Sequence, residues 1–256
     1  MINRNVVSNE LVSIITPSYN SQAYISQTIE SIQAQTYSHW ELLITDDCST
    51  DQTIDIIKGY QKGDSRIKLF LLHKNQGAGV ARNNSIKEAN GRYIAFCDSD
   101  DQWKKNKLEV QLSFIKTNKL LFSFTGYDVV SEDNQFLKRI KCPNRTTYAE
   151  LLKNNYVGCL TAIYDKEKLG KMYMPTIRKR QDWVLWLNIM NKIKHTKGLN
   201  DSLAIYRTRA SSISRDKLLL IKYNWRVYRQ ELKFSFCASL IYLIHFIFFY
   251  TLKKLR

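Results

Sequence analysis

Along the first 118 residues, short apolar runs alternate with stretches whose apolar positions recur at helical spacing. "LVSIIT" (11–16) has strand length and is closed by Pro17. In residues 23–35, Ile25, Ile29 and Ile32 fall at i, i+4 and i+7, one face of a helix. "WELLIT" (40–45) predicts a second strand. In the "STDQ" that follows, Ser49 and Gln52 form a capping-box pattern, with Ser49 as N-cap of the next helix. "RIKLFLL" (66–72) predicts a third strand, "AGVARNNSIKEAN" a helix stopped by Gly91, and "RYIAF" (92–96) a fourth strand. Strands separated by helices imply right-handed βαβ units, hence an α/β fold with a mostly parallel sheet and helices on both faces.

From residue 119 the alternation weakens. "LLFSFTGYDVV", "NYVGCLTAIY" and "DSLAIYR" predict strands, and "RQDWVLWLNIMNKI" predicts a helix whose Trp183 and Trp186, at i and i+3, belong to the core. Beyond Ser211 the pattern is helical and basic, then almost wholly apolar. Three parts follow: residues 1–118, 119–215, and a C-terminal attachment at 216–256.

The polar clusters have a common place in this pattern. "PSYN" follows the first strand, "DDCSTD" the second and "DSDD" (98–101) the fourth. Ligands of such sheets bind at the carboxyl ends of the strands. Carboxylates at the end of a buried strand need company for their charge. A hard divalent cation such as Mg²⁺ or Mn²⁺, held by one or two carboxylates and by phosphate oxygens of a substrate, supplies it. A solvated acidic turn before the next helix is the alternative.

Charge sharpens the question, because 39 Lys and Arg against 23 Asp and Glu give a formal net charge of +16. Such a surface attracts polyanions, whether nucleic acid, anionic lipid or phosphorylated small molecules. With 44% hydrophobic residues and three prolines the chain is globular. Its five cysteines (Cys48, Cys97, Cys142, Cys159 and Cys237) form no C-x-x-C pair, which fits free thiols in a reducing compartment. The polar N-terminus lacks a secretory apolar stretch. The four histidines have no ligand spacing.

Taken in order, "VSIITPSYN…WELLITDDCSTDQT…GAGVARNNSIKEANGRYIAFCDSDD" resembles the nucleotide-sugar domain of the family-two inverting glycosyltransferases of bacterial surface-polysaccharide synthesis. It covers about residues 11–118 and continues more loosely to about 215. The resemblance implies a GT-A fold and transfer from a UDP-sugar. Tyr19, next to Pro17, would stack on the uracil, and Asp47, beside Asp46, would accept from its N3–H. The family's D-x-D falls on Asp98-Ser99-Asp100, making Asp100 the main metal ligand and Asp98 a ribose or metal contact, with Mn²⁺ or Mg²⁺ as cofactor. "GAGVARN" (77–83) lacks the G-x-G-x-x-G spacing of dinucleotide sites. Gly77 and Gly79 are instead expected to let backbone approach the donor, and Arg82 either neutralises the donor or forms a structural ion pair. Arg207 and Arg209, in "LAIYRTRASSIS", resemble a loop that closes over the donor, where guanidinium forks suit a diphosphate. The processive synthases' Q-x-x-R-W is missing, which favours one sugar per encounter.

Inverting transfer needs a carboxylate to take the acceptor hydroxyl's proton. The family supplies it at the start of a helix in the second half, where this chain has Gln181-Asp182 instead of the common Glu-Asp. Asp182 is thus the candidate base; the alternative is an acidic residue favoured by the helix dipole.

The tail narrows the acceptor. Residues 207–233 carry eight basic and two acidic residues, and "FSFCASLIYLIHFIFFYTL" (234–252) carries none of either sign. At 1.5 Å per residue this stretch extends roughly 28 Å, near the ~30 Å core of a bilayer. Spanning the membrane, lying in its interface and packing on the catalytic domain all stand open. A basic, membrane-seeking tail suits a lipid-borne anionic acceptor such as a polyprenyl-diphosphate-linked oligosaccharide, on the cytoplasmic side of the inner membrane. Two other classes compete, a nucleic-acid-binding protein and a non-catalytic sugar-binding module of a membrane complex. Acidic clusters at the strand ends would repel nucleic acid, so nucleic acid is set aside as a partner.

Overall fold

The computed structural model of the protein describes residues 10–209 and 217–255. Strand β1 (Val12–Ser18) leads through helix α1 (Ile25–Gln33) to β2 (Trp40–Asp46), then through α2 (Thr53–Gly63) to β3 (Ile67–Leu71) and through α3 (Ala78–Glu88) to β4 (Tyr93–Phe96). All residues of β1, β2 and β4 are buried, which is why they read as nearly continuous apolar runs. Alternate residues face opposite sides. Val12, Ile14, Tyr93 and Ala95 pack with α1, whose Ile25, Ile29 and Ile32 are fully buried, while Ile15, Ile94 and Phe96 join a second core on the other face.

The chain continues through β5 (Gln102–Trp103), α4 (Lys107–Thr117), β6 (Phe122–Val130), β7 (Phe136–Ile140) and β8 (Thr146–Thr147) to α5 (Tyr148–Lys153). After these come β9 (Ile163–Asp165), α6 (Lys166–Leu169), α7 (Gln181–Ile193) and β10 (His195–Arg207). The sheet order is β3-β2-β1-β4-β9-β6-β10-β5, with β7 on β6 and β8 on β10. Pairing is parallel from β3 to β4; β9 is antiparallel to both neighbours, and β10 runs parallel to β6. Trp186 of α7 lies 5.3 Å from the rings of both Phe96 and Phe122, locking the two halves over one core. Trp183 is also fully buried, so neither tryptophan faces a ligand.

Three expectations are corrected. Helix α2 starts at Thr53, not after Ser49, because Ser49 gives its N–H and hydroxyl to the buried Asp46 carboxylate while Asp51 accepts from the Thr53 amide at 3.0 Å. "NYVGCLTAIY" is no single strand: a 3-10 turn at Cys159–Thr161 precedes the three-residue β9. Its apolar residues reflect burial, with a Cβ at Gly158 meeting the Tyr127 ring at 3.1 Å. "DSLAIYR" is the end of the 13-residue β10, whose register against β6 shifts between Leu199 and Ala204.

The tail is helical. Helix α8 (Lys217–Arg226), a π turn (Val227–Glu231) and α9 (Phe236–Leu255) follow one another. Tyr242 of α9 stacks on Tyr228 at 5.7 Å and Phe246 sits 6.4 Å from Trp183, so one face of α9 packs on the domain. Phe236, Leu240, Ile241, Ile244, Ile247 and Phe248 are exposed. Among the described residues no helix is long and apolar enough to cross a membrane.

Candidate active site

The strand ends bring the polar clusters to one margin of the sheet. Ser18 pairs with Asp46, the Asp47 amide donates to the Ser18 carbonyl, and Cys97 donates to Ile15. Tyr19, Asp47 and Asp98 therefore leave neighbouring strands at nearly one level. Pro17 is buried within β1, and Tyr19 is 48% exposed.

The acidic pair after β2 divides its work. Asp46 is fully buried and accepts from Ser18 Oγ at 2.7 Å and from both Ser49 donors. Asp47 accepts from the amides of Gln76 and Gly77, each at 2.7 Å, pinning the loop before α3. Gly77 has φ +90°, a conformation that suits glycine. A Cβ on Gly79 would lie 2.8 Å from the Gln181 side chain. The close approach permitted at Gly79 is therefore to α7, not to a donor.

The D-x-D loop is tied from several sides. Ser99 Oγ hydrogen-bonds Ser21 Oγ at 2.7 Å, Asp98 meets Arg82 at 2.6 Å, and Asp100 meets Arg209 at 2.8 Å. Asp101 is buried, accepts from the Arg207 amide at 3.1 Å, and takes Thr28 Oγ1 on its carbonyl. Arg207 departs from its expected reach to a diphosphate. It is 2% exposed, and its guanidinium donates to the carbonyls of Asp100 and Glu132 and to the side chains of Asn134 and Gln27. Arg207 braces the loop from behind, while Arg209 stands on its carboxylate. Residues 210–216, the rest of the expected closing loop, lie outside the described residues.

Burial pushes the Asp100 pKa up, opposed by Arg209 and reinforced by Asp98. Burial likewise raises Asp101 well above the usual carboxylate range, with Asp100 and Asp98 adding to it. Asp98 and Asp100 each stand against a guanidinium group, and their hard oxygens suit a divalent ion that completes its shell from phosphate oxygens. No group of three or more His, Cys, Asp or Glu that would hold a metal alone occurs among the described residues.

Asp182 lies in the first turn of α7, and Asn155 Nδ2 reaches its Oδ2 at 3.4 Å. Burial raises its pKa, with Arg180 and Arg82 pulling the other way. Arg82 is the hinge of the site: one nitrogen bonds Asp98 and another bonds Gln181 Oε1 at 3.2 Å, next to Asp182. The D-x-D loop and the residue beside the candidate base are thus joined through one side chain. Gln181, Asn155 and Ser21 were not legible as site residues, since amides and hydroxyls carry no motif until the chain folds.

Strand-end carboxylates along one margin of a mixed α/β sheet, with Asp182 opening a helix of the second half, fit a glycosyltransferase of GT-A architecture. The chain belongs to glycosyl transferase family 2, whose family model matches residues 13–218. It is 48% identical to the putative teichuronic acid biosynthesis glycosyltransferase TuaG of Bacillus subtilis, over 90% of this chain and 91% of that one. It is 40% identical to the Escherichia coli UDP-Glc:alpha-D-GlcNAc-diphosphoundecaprenol beta-1,3-glucosyltransferase WfgD, over 93% and 92%. The fold resembles Staphylococcus aureus TarS 1–349 in complex with UDP, with a TM-score of 0.68 and 21% identity, over 92% of this chain and 70% of that one.

Proposed function

We propose that the protein transfers one sugar, with inversion, from a UDP-sugar to a hydroxyl of a lipid-diphosphate-linked acceptor in bacterial surface-polysaccharide synthesis. The observation that carries this reading is the Arg82 bridge, which ties Asp98 to the residue beside Asp182. Tyr19 stacks on the uracil. Asp47 uses one lone pair on each oxygen for the 76–77 loop, leaving acceptor capacity for the uracil N3–H. Pro17 and Ser99 shape the donor's floor, and Asp98 contacts ribose or metal.

Asp100, with Asp98, would hold Mn²⁺ or Mg²⁺, which supplies neutralisation of the leaving diphosphate. Arg209 moves from Asp100 to the phosphates when the donor binds. Asp182 takes the proton of the acceptor hydroxyl as it attacks the anomeric carbon. A base buried enough to have a raised pKa is better matched to this task near neutrality than a solvated carboxylate. The exposed apolar face of α9, flanked by the basic residues of 217–233, rests on an anionic membrane surface, where each Lys or Arg adds about 1 kcal/mol.

The name of WfgD supplies the first substrates to try, UDP-glucose and an N-acetylglucosaminyl diphosphate lipid. A panel of UDP-sugars with that acceptor, with and without Mn²⁺, tests the reading. Transfer from at least one donor, lost on chelation, supports it; failure of every donor overturns it.

A further inference from the structure

Strand β6 is buried at every residue but one, and the exception is Tyr127. A Cβ on Gly158 would lie 3.1 Å from the Tyr127 ring, so the ring rests against the turn of residues 155–158. That turn is closed by Asn155 Oδ1 on the Val157 amide at 3.1 Å, and Asn155 Nδ2 reaches the carboxyl of Asp182. The Tyr127 ring also stands 6.1 Å from that of Tyr206, the residue before Arg207, whose amide holds Asp101. Tyr127 thus meets both the turn that supports the candidate base and the strand end that braces the D-x-D loop. Its neighbour in the strand, Asp128, is taken by Lys104 and Arg139. The Tyr127 hydroxyl, by contrast, makes no hydrogen bond among the described residues. A phenylalanine would fill the same space, and a tyrosine hydroxyl withdrawn from water usually has a partner. Burial pushes the Tyr127 pKa up to about 12, with Tyr206, Asp101 and Asp182 adding to it, so the proton stays on the oxygen near neutrality.

We propose that the Tyr127 hydroxyl donates a hydrogen bond to a hydroxyl of the accepting sugar beside the one that attacks, and so selects which hydroxyl faces Asp182. The donor's uracil, ribose and diphosphate are met from the ends of β1, β2 and β4 on the reading above. The accepting sugar has to lie within reach of Asp182, on the side where the Tyr127 ring rests against residues 155–158. Holding one hydroxyl of a rigid pyranose fixes where its neighbours point, which makes Tyr127 a determinant of linkage position. This assignment rests on the lipid-linked acceptor reading above.

The test compares full-length Tyr127→Phe with the unaltered enzyme. The acceptors are N-acetylglucosaminyl diphosphate on a short prenyl chain and its analogues that each lack one sugar hydroxyl; the donor is the UDP-sugar that the panel above finds active. Tyr127→Phe is expected to raise KM for the intact acceptor about tenfold, the loss of one hydrogen bond. KM for the donor and the melting temperature should stay in place, since no hydrogen bond within the protein is removed. One deoxy acceptor should cost the unaltered enzyme a similar factor and cost Tyr127→Phe nothing further, the coupling that marks direct contact. An unchanged acceptor KM overturns the assignment, as do equal losses of both enzymes with every deoxy acceptor. A rise in donor KM in place of acceptor KM overturns it in favour of the donor sugar, and a lowered melting temperature with both KM values raised overturns it in favour of packing. If the unaltered enzyme transfers to no acceptor, the substrate reading falls and takes this assignment with it; an active enzyme indifferent to Tyr127→Phe overturns this assignment alone.

Discussion

The donor half and the acceptor half of the molecule use polar side chains in opposite ways. Around β1, β2 and β4, carboxylates are gathered and then held by neighbours close to the strand ends, as Asp46 is by Ser18 and Ser49 and Asp47 by the 76–77 amides. At the start of α7 the carboxyl of Asp182 lies near Arg180 and Arg82, and Asn155 reaches it from 27 positions away. The first half builds a cradle from local geometry; the second positions the Asp182 carboxyl, the proposed base, through long-range contacts. Removing a group from the cradle should therefore weaken donor or metal binding, whereas removing one from α7 should leave binding intact and stop the chemistry.

Asp182→Asn tests this most severely. A lost general base costs about 10²–10⁴-fold in rate, and we expect a fall in kcat near the middle of that range with UDP affinity by calorimetry unchanged. The pH response has a definite sign. Because burial raises the folded-state pKa of Asp182, its stabilising contribution is present below the unfolded pKa and lost as pH rises through the folded one. Asp182→Asn should thus gain melting temperature relative to the unaltered protein as pH rises toward neutrality, while wild-type kcat should climb over the same interval.

Asp100→Ala should abolish metal-dependent turnover together with metal-dependent UDP binding, the reverse of the Asp182 pattern. The two arginines at the end of β10 then sharpen the comparison within the cradle. Arg207→Ala removes four charge-assisted hydrogen bonds from a buried side chain and should cost roughly 2–4 kcal/mol of stability. Arg209→Ala, at a partly exposed pair, should leave the denaturant midpoint nearly in place and raise KM for the donor. Equal destabilisation by both would erase the distinction between brace and contact.

Away from both halves of the site, Lys107 is fully buried over the Trp103 ring at 4.0 Å and bonded to Gln111 Oε1. Burial pulls its pKa down to about 7. Its contribution is present above the unfolded pKa and lost as pH falls through the folded one. Unfolding free energy should rise by about 1.4 kcal/mol per pH unit between roughly 7 and 10, and Lys107→Met should flatten that slope.

What could be read from the sequence follows the same division. Strands β1, β2 and β4 are visible as short apolar runs because both their faces are buried, helix α1 because it buries one periodic face, and the D-x-D stands out because three acids follow an apolar run. Strand β9 was obscured because three paired residues sit inside a longer apolar stretch that is buried for other reasons. The brace made by Arg207 is not legible in the sequence, since a motif gives the residue type but not which way the side chain points. The bridge from Arg82 to Gln181 spans 99 positions and leaves no local mark.

Helix α9 has a further consequence. Fastened to the domain through Tyr242 and Phe246, it would meet a lipid surface already folded, with no ordering step to complete on arrival. On the membrane docking proposed above, a rigid keel of this kind would fix Asp182 at one altitude above the bilayer. Altitude would then act as a ruler, selecting acceptors by the length of glycan that stands between lipid and hydroxyl.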